Sequence, residues 1–88
     1  MKNIDMLNGP NKMYDNDDNL LLEEFLINGV RHGLATIFYS TGQKEGEGFY
    51  NNGNRQGLFL FFSKKGIITY VDHWDNDLRE GEFLEFEY

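Results

Sequence analysis

Carboxylates, amides, histidines and serines recur along this 88-residue chain, and several sit at spacings that call for a chemical test. Asp15-Asn16-Asp17-Asp18-Asn19 resembles the start of a calcium loop. That loop needs Gly at its sixth position and Glu at its twelfth, and here those positions hold Leu20 and Leu26. The run therefore reads as a solvated acidic turn. A zinc site wants three or four ligands from Cys, His, Asp or Glu. The chain has no Cys and two histidines, His32 and His73, that are not at ligand spacing, so no metal is expected. Glu23-Glu24, and Glu45 with Glu47, offer the paired carboxylates of glycoside hydrolysis. That reaction also needs a cleft to hold the sugar. Gly46-Glu47-Gly48 is followed by no helix start that would complete a phosphate cradle. Ser40 and Ser63 have no base nearby in sequence. The reading is a non-enzyme with no catalytic residues and no cofactor.

Charge and aromatic content carry more information. Eight Lys and Arg stand against 15 Asp and Glu, a net charge of −7. Such a chain repels nucleic-acid phosphates and anionic membranes, so neither is expected as a direct partner. It attracts a basic surface of the kind that nucleases and nucleic-acid channels present. Near the C-terminus, Asp72, Asp75, Asp77, Glu80, Glu82, Glu85 and Glu87 face the single base Arg79. Two readings stay open: charges that discourage edge-to-edge aggregation, or a strip that mimics phosphates and steers a basic partner. The absence of Cys in so small a chain points to a reducing compartment. Residues 1–10 carry no apolar signal core, and Leu20 to Leu22 and Leu58 to Phe62 fall far short of the roughly 20 residues that span a bilayer. The expectation is a cytoplasmic protein, or a resident of the host cytoplasm if phage-encoded.

These residues are positioned by a repeat of 24. Asn28-Gly29-Val30-Arg31-His32-Gly33 aligns with Asn52-Gly53-Asn54-Arg55-Gln56-Gly57, and a third copy runs from Asn76 to Gly81 with Asp77 in place of the first Gly. Phe38, Phe62 and Phe86 fall in register, as do Gly42 and Gly66. Asn-Gly is a hairpin signal because both residues accept positive φ at little cost. Ser40-Thr41-Gly42 and Lys64-Lys65-Gly66 mark a second turn in each repeat. Between the turns lie runs rich in Phe, Tyr, Ile, Val and Leu, which read as strands. The spacing predicts strands near 12–15, 19–27, 33–39, 43–51, 57–62, 66–75 and 81–87, with 15–19 as a turn. Short links make neighbouring strands antiparallel. The predicted fold is all-β, a single antiparallel meander of about seven strands in one domain over 1–88. A degenerate half repeat covers 1–19, and repeats cover about 20–43, 44–67 and 68–88.

The pattern Asn-Gly, basic residue, Gly, aromatic-ended strand and second Gly turn resembles the MORN repeat, and more closely the bacterial variant in YwqK-type antitoxin proteins. It is carried by Asn28 to Gly33 with Phe38-Tyr39 and Gly42, and by Asn52 to Gly57 with Phe61-Phe62 and Gly66. The resemblance implies an open sheet of stacked hairpins without catalytic machinery, with antitoxin, lipid-associated or scaffolding roles.

If both turn types held three residues, side-chain parity would carry across every hairpin. One face would then bear Leu20, Leu22, Leu26, Leu34, Phe38, Tyr50, Leu58, Leu60, Phe62, Ile68, Tyr70, Trp74, Leu84 and Phe86, as a core or a dimer seam. The other would bear Phe25, Ile37, Tyr39, Glu45, Glu47, Phe49, Phe59, Phe61, Val71, Phe83, Glu85 and Glu87. That mixed face either closes a small core or binds a basic protein, with Phe49, Phe59, Phe61 and Phe83 as anchors and Glu45, Glu47, Glu85 and Glu87 as its charged component, joined by Asp72, Asp75 and Asp77 of the acidic C-terminal strip as further partner-binding residues. Gly46 and Gly48 mark curvature or a groove. A single sheet also buries too little on its own, which makes a homodimer or a stable complex an expectation. The favoured function is an inhibitor that occludes the basic surface of a nuclease or nucleic-acid-guided effector, as an antitoxin or an anti-CRISPR-like antagonist does. The alternative is a self-associating scaffold or interaction module with no inhibited target.

Overall fold

Three local devices, each recurring at 24 residues, build the sheet. The first is a two-residue turn with both residues at positive φ: Asn28 and Gly29 (52° and 77°), Asn52 and Gly53 (50° and 87°), Asn76 and Asp77 (52° and 71°). This primed turn matches the twist of the strands it joins. It is closed by the pairs Ile27↔Val30, Asn51↔Asn54 and Asp75↔Leu78. The second device is a three-residue turn at the other end of the sheet, over residues 16–18, 40–42 and 64–66. The amides of Asp15, Tyr39 and Ser63 donate to the carbonyls of Asn19, Gln43 and Ile67 at 3.0, 2.9 and 2.8 Å. Its last residue is again at positive φ: Asp18, Gly42 and Gly66. The third is a β-bulge that leaves Leu21, Glu45 and Thr69 without a direct cross-strand partner.

A computed structural model describes residues 7–80 and, for backbone pairing, 84–85. The strands are β1 (Gly9–Tyr14), β2 (Leu20–Ile27), β3 (Val30–Arg31), β4 (Gly33–Phe38), β5 (Lys44–Asn51), β6 (Asn54–Phe62), β7 (Ile68–Asp75), β8 (Leu78–Arg79) and β9 (Leu84–Glu85). They form one open sheet in the order β1-β2-β4-β5-β6-β7-β8, with β3 on β2 and β9 on β7, and every pairing is antiparallel. The meander is the one the turns predict. Strand limits differ most at β1, which begins at Gly9 rather than near 12, and at β6, which begins at Asn54 rather than 57 because the Asn52-Gly53 turn closes with two residues; β7 begins at Ile68 rather than 66, and the short strands β3 and β8 fall outside the predicted spans. Most of the predicted last strand, 81–87, lies outside the described residues. Among the described residues no helix is long and apolar enough to cross a membrane.

The repeats also clasp one another. The amides of Gly29, Gly53 and Asp77 donate to the carbonyls of Leu7, Arg31 and Arg55, at 2.8, 2.8 and 2.9 Å. The preceding amides, of Asn28, Asn52 and Asn76, donate to side chains of Asn8 (Oδ1), His32 (Nδ1) and Gln56 (Oε1). Each tight turn is therefore hydrogen-bonded to the repeat before it, and positions 8, 32 and 56 all supply an acceptor.

The tight turns overturn the predicted faces. A two-residue loop pairs residues of opposite parity, as in Tyr50↔Arg55. The bulges do the same beyond the three-residue loops, where Ile37 pairs with Gly46 and Phe61 with Tyr70. Parity therefore flips at every strand instead of carrying across. The front face joins Leu22, Ile37, Gly46, Phe61 and Tyr70 in one row, and Phe59 with Asp72 in the next. The back face joins Leu34 with Phe49, Glu47 with Leu60, and Leu58 with His73. Phe59, Phe61 and Ile37 thus leave the mixed face expected for them, while Leu34, Leu58 and Leu60 leave the expected core face.

The acidic turn at 15–19 holds itself together. Asp15 accepts from the amides of Asp17 (2.8 Å) and Asn19 (3.0 Å), and from the Asn19 side chain. These donors, the Asn19 amide first, hold its carboxyl below the ordinary 3.8 of an aspartate. The three-residue turn gains from that charge above the unfolded pKa and loses it as pH falls through the lower folded one. The Asp17 and Asn19 amide resonances should therefore titrate together below pH 3.8, and Asp15→Asn should abolish that shared transition. Independent or absent titration in the wild type would contradict the turn. Among the described residues no group of three or more His, Cys, Asp or Glu could hold a metal.

Candidate functional site: the two faces of the sheet

The front face is ordered by arginines at 31, 55 and 79, each answered by a carboxylate. Arg31 Nε lies 2.5 Å from Glu24 Oε1, and Asn11 Nδ2 donates to Oε2 at 2.9 Å. Arg79 Nη2 donates to Asp72 Oδ2 at 3.1 Å, with Nε 3.1 Å from Oδ1 but out of hydrogen-bond alignment. Glu24 and Asp72 are both buried. They occupy equivalent places 48 residues apart, and the place midway is Gly48. Arg55 therefore turns to Asp77, whose Oδ1 lies 2.6 Å from its Nε. That contact lowers the Asp77 pKa, chiefly through the Arg55 side-chain hydrogen bond. Asp77, the residue that breaks the Asn-Gly pattern, thus restores the charge lost at Gly48. The Arg55 guanidinium also lies 3.6 Å from the centre of the Trp74 ring, a cation–π contact.

Gly48 gives its space to Phe59, whose ring lies directly over it. Phe61 lies over Gly46, where an added Cβ would stand 2.9 Å from Cδ1. The glycines thus serve close approach by the chain's own rings. Tyr50 packs edge-on against Phe59 and Tyr70 against Phe61. Beside these rings Leu22, Ala35, Ile37 and the two glycines line an apolar trough of about 210 Å³.

The back face is different. Phe25, Leu34, Phe49 and Leu58, from four neighbouring strands, are 43–58% exposed. The Phe49 ring meets the His32 ring edge-on. Glu23 and Glu47, each beside a lysine, flank the stripe at 3.5 Å from Lys12 and 3.2 Å from Lys44. Asp75 accepts from Gln56.

The predicted partner-binding residues are therefore divided. Phe49, Glu47 and Asp75 share the back face. Phe59, Phe61 and Asp72 belong to the front, with Phe59 and Asp72 buried. Asp77 lies in a turn engaged by Arg55, and Glu45 lies in a bulge. Glu85 pairs in register with Tyr70, and Phe83 and Glu87 lie outside the described residues. Leu34 and Leu58, assigned to the core by parity, complete the exposed stripe. Their recurrence at 24 residues beside Phe25 and Phe49 was the available signal. The chain matches no protein-family model, no curated protein and no solved structure.

Proposed function

We propose that this chain is a protein-binding inhibitor built of MORN-like hairpins, which covers a basic functional surface of a cytoplasmic partner with the back face of its sheet. The observation that carries the reading is the exposed stripe of Phe25, Leu34, Phe49 and Leu58. Contiguous exposed aromatic and aliphatic side chains on a small domain mark an interaction surface. The net charge of −7 gives the sign of the partner. Long-range attraction brings a basic surface in, and burial of Phe49 and its neighbours holds it. A nuclease or a nucleic-acid-guided effector has such a surface, so antitoxin and anti-CRISPR-like roles both belong to this reading.

The test is capture from a bacterial lysate on the tagged protein, washed at low and then high salt, beside a Phe49→Asp/Leu58→Asp variant. The expected result is a basic protein held at low salt, released at high salt, lost at least tenfold in the variant, and blocked in its own nucleic-acid cleavage or binding by the wild-type chain. Capture that is indifferent to salt or to the variant, or a partner whose activity is unaffected, would refute the inhibitor.

A further inference from the structure

We infer that the front face is the seam of a homodimer, with a second copy of this chain as its occupant. This goes beyond the partner on the back face and does not depend on it. Domains of this size are built from two packed layers, whereas this sheet is a single layer, with extents of 55 × 35 × 15 Å. Its radius of gyration is 14.9 Å, against about 12 Å for a compact domain of 88 residues. Its accessible surface is 6462 Å², where a folded chain of 10.3 kDa averages about 5,400 Å². The excess over the whole chain is about 1,100 Å², more than the ~800 Å² that each partner buries in a standard interface.

Charge selects a second copy for the front face. The molecule as a whole is acidic, which opposes self-association through most of its surface. On the front, Arg31, Arg55 and Arg79 are matched by Glu24, Asp77 and Asp72. Among the side chains described on that face the charges therefore balance, and Glu85, in register with Tyr70, adds a single acid, far less than the net charge of the whole molecule. It is also rich in the residue types that anchor interfaces: Tyr50, Tyr70, Trp74 and the three arginines. Shape agrees with this choice. The aromatic pair Phe61–Tyr70 stands beside the trough floored by Ala35, Gly46 and Gly48. A two-fold axis brings one patch onto its own copy, so a face with ridge and trough side by side complements itself. Two sheets facing about 10 Å apart then form the missing second layer.

Analytical ultracentrifugation of the purified chain across a dilution series tests the seam, with Ile37→Asp on the front and Phe49→Asp on the back. Ile37 is 36% exposed, so an aspartate there stays solvated in a monomer. The expected result is a wild-type dimer with micromolar or tighter affinity, weakened at least a hundredfold by Ile37→Asp and unchanged by Phe49→Asp. Emission from Trp74, the single tryptophan, should shift to the red as the wild type is diluted. That measurement decides the matter even if the Ile37 variant misfolds. A monomer at every concentration with unchanging Trp74 emission would overturn the dimer. So would a dimer dissolved by Phe49→Asp but not by Ile37→Asp. The first result leaves partner capture on the back face untouched, whereas the second would make the back face itself the self-associating surface and count against both readings.

Discussion

Gly48→Ala is expected to destabilise the fold by about 2 kcal/mol, although it adds one methyl group to a strand. On backbone grounds alone the sign would be opposite, since alanine in a strand is favoured over glycine by about 0.5–1 kcal/mol. The reason is the ring above it. A Cβ at position 48 would overlap Phe59 at Cγ, Cδ2 and Cε2. Cγ is one bond from Cβ, so the ring cannot slide aside and must change rotamer. Phe59 is among the most buried apolar side chains of the described residues, at 9% exposure, and leaving its site forfeits that burial. Phe59→Ala should itself cost about 3 kcal/mol. With Phe59 already truncated, Gly48→Ala should become neutral or slightly stabilising, which is a coupling of about 2 kcal/mol in a double-mutant cycle measured by urea unfolding. Equal penalties in both backgrounds would mean that the glycine is required for some reason other than the ring. Gly46→Ala should cost less, because the Phe61 atoms it meets are further away.

Arg31→Met is expected to cost about 2–3 kcal/mol, and Glu24→Leu in the same chain to recover most of it. Glu24 is 7% exposed. Removing one partner of a buried pair leaves a charge without compensation, at about 3–5 kcal/mol, whereas replacing both by apolar groups is often neutral. The lower figure applies because the Arg31 side chain is half exposed and Asn11 still donates to the other carboxylate oxygen. The check is thermal and urea unfolding of both single variants and the double variant. If Arg31→Met is tolerated alone, the pair does not hold the sheet, and Arg31 is free to be read as a contact residue. Variants intended to probe partner binding should therefore avoid Glu24, Asp72 and their arginines, whose loss would destabilise the chain and confound the binding readout.

The meander was legible because its signals are local. Asn28-Gly29 and Asn52-Gly53 define their own turns through φ, Gly42 and Gly66 define the other set, and a link of two or three residues permits only an antiparallel neighbour. The period of 24 extended this to Asn76-Asp77 and to the acidic turn at 15–19, where Asp18 takes the place of Gly42 and Gly66. Faces were not legible. They depend on whether each loop contributes an odd or an even number of residues, and on bulges at Leu21, Glu45 and Thr69 that no residue type announces. One uncounted residue sends every later side chain to the opposite face. That is how Phe59 and Phe61 came to lie over Gly48 and Gly46, and Leu34 and Leu58 came to stand in solvent beside Phe49.

The acidic C-terminal stretch divides in the same way. Composition establishes the charge and its sign, because counting residues needs no geometry. Only the folded sheet separates Asp72, enclosed against Arg79, and Asp77, spent on Arg55, from Asp75 on the open face. Turn chemistry and strand order are properties of neighbours in the chain, and the sequence by itself determined them. Which side chains meet across the strands, and which remain for a partner, is a property of register, and register exists only once the strands have paired.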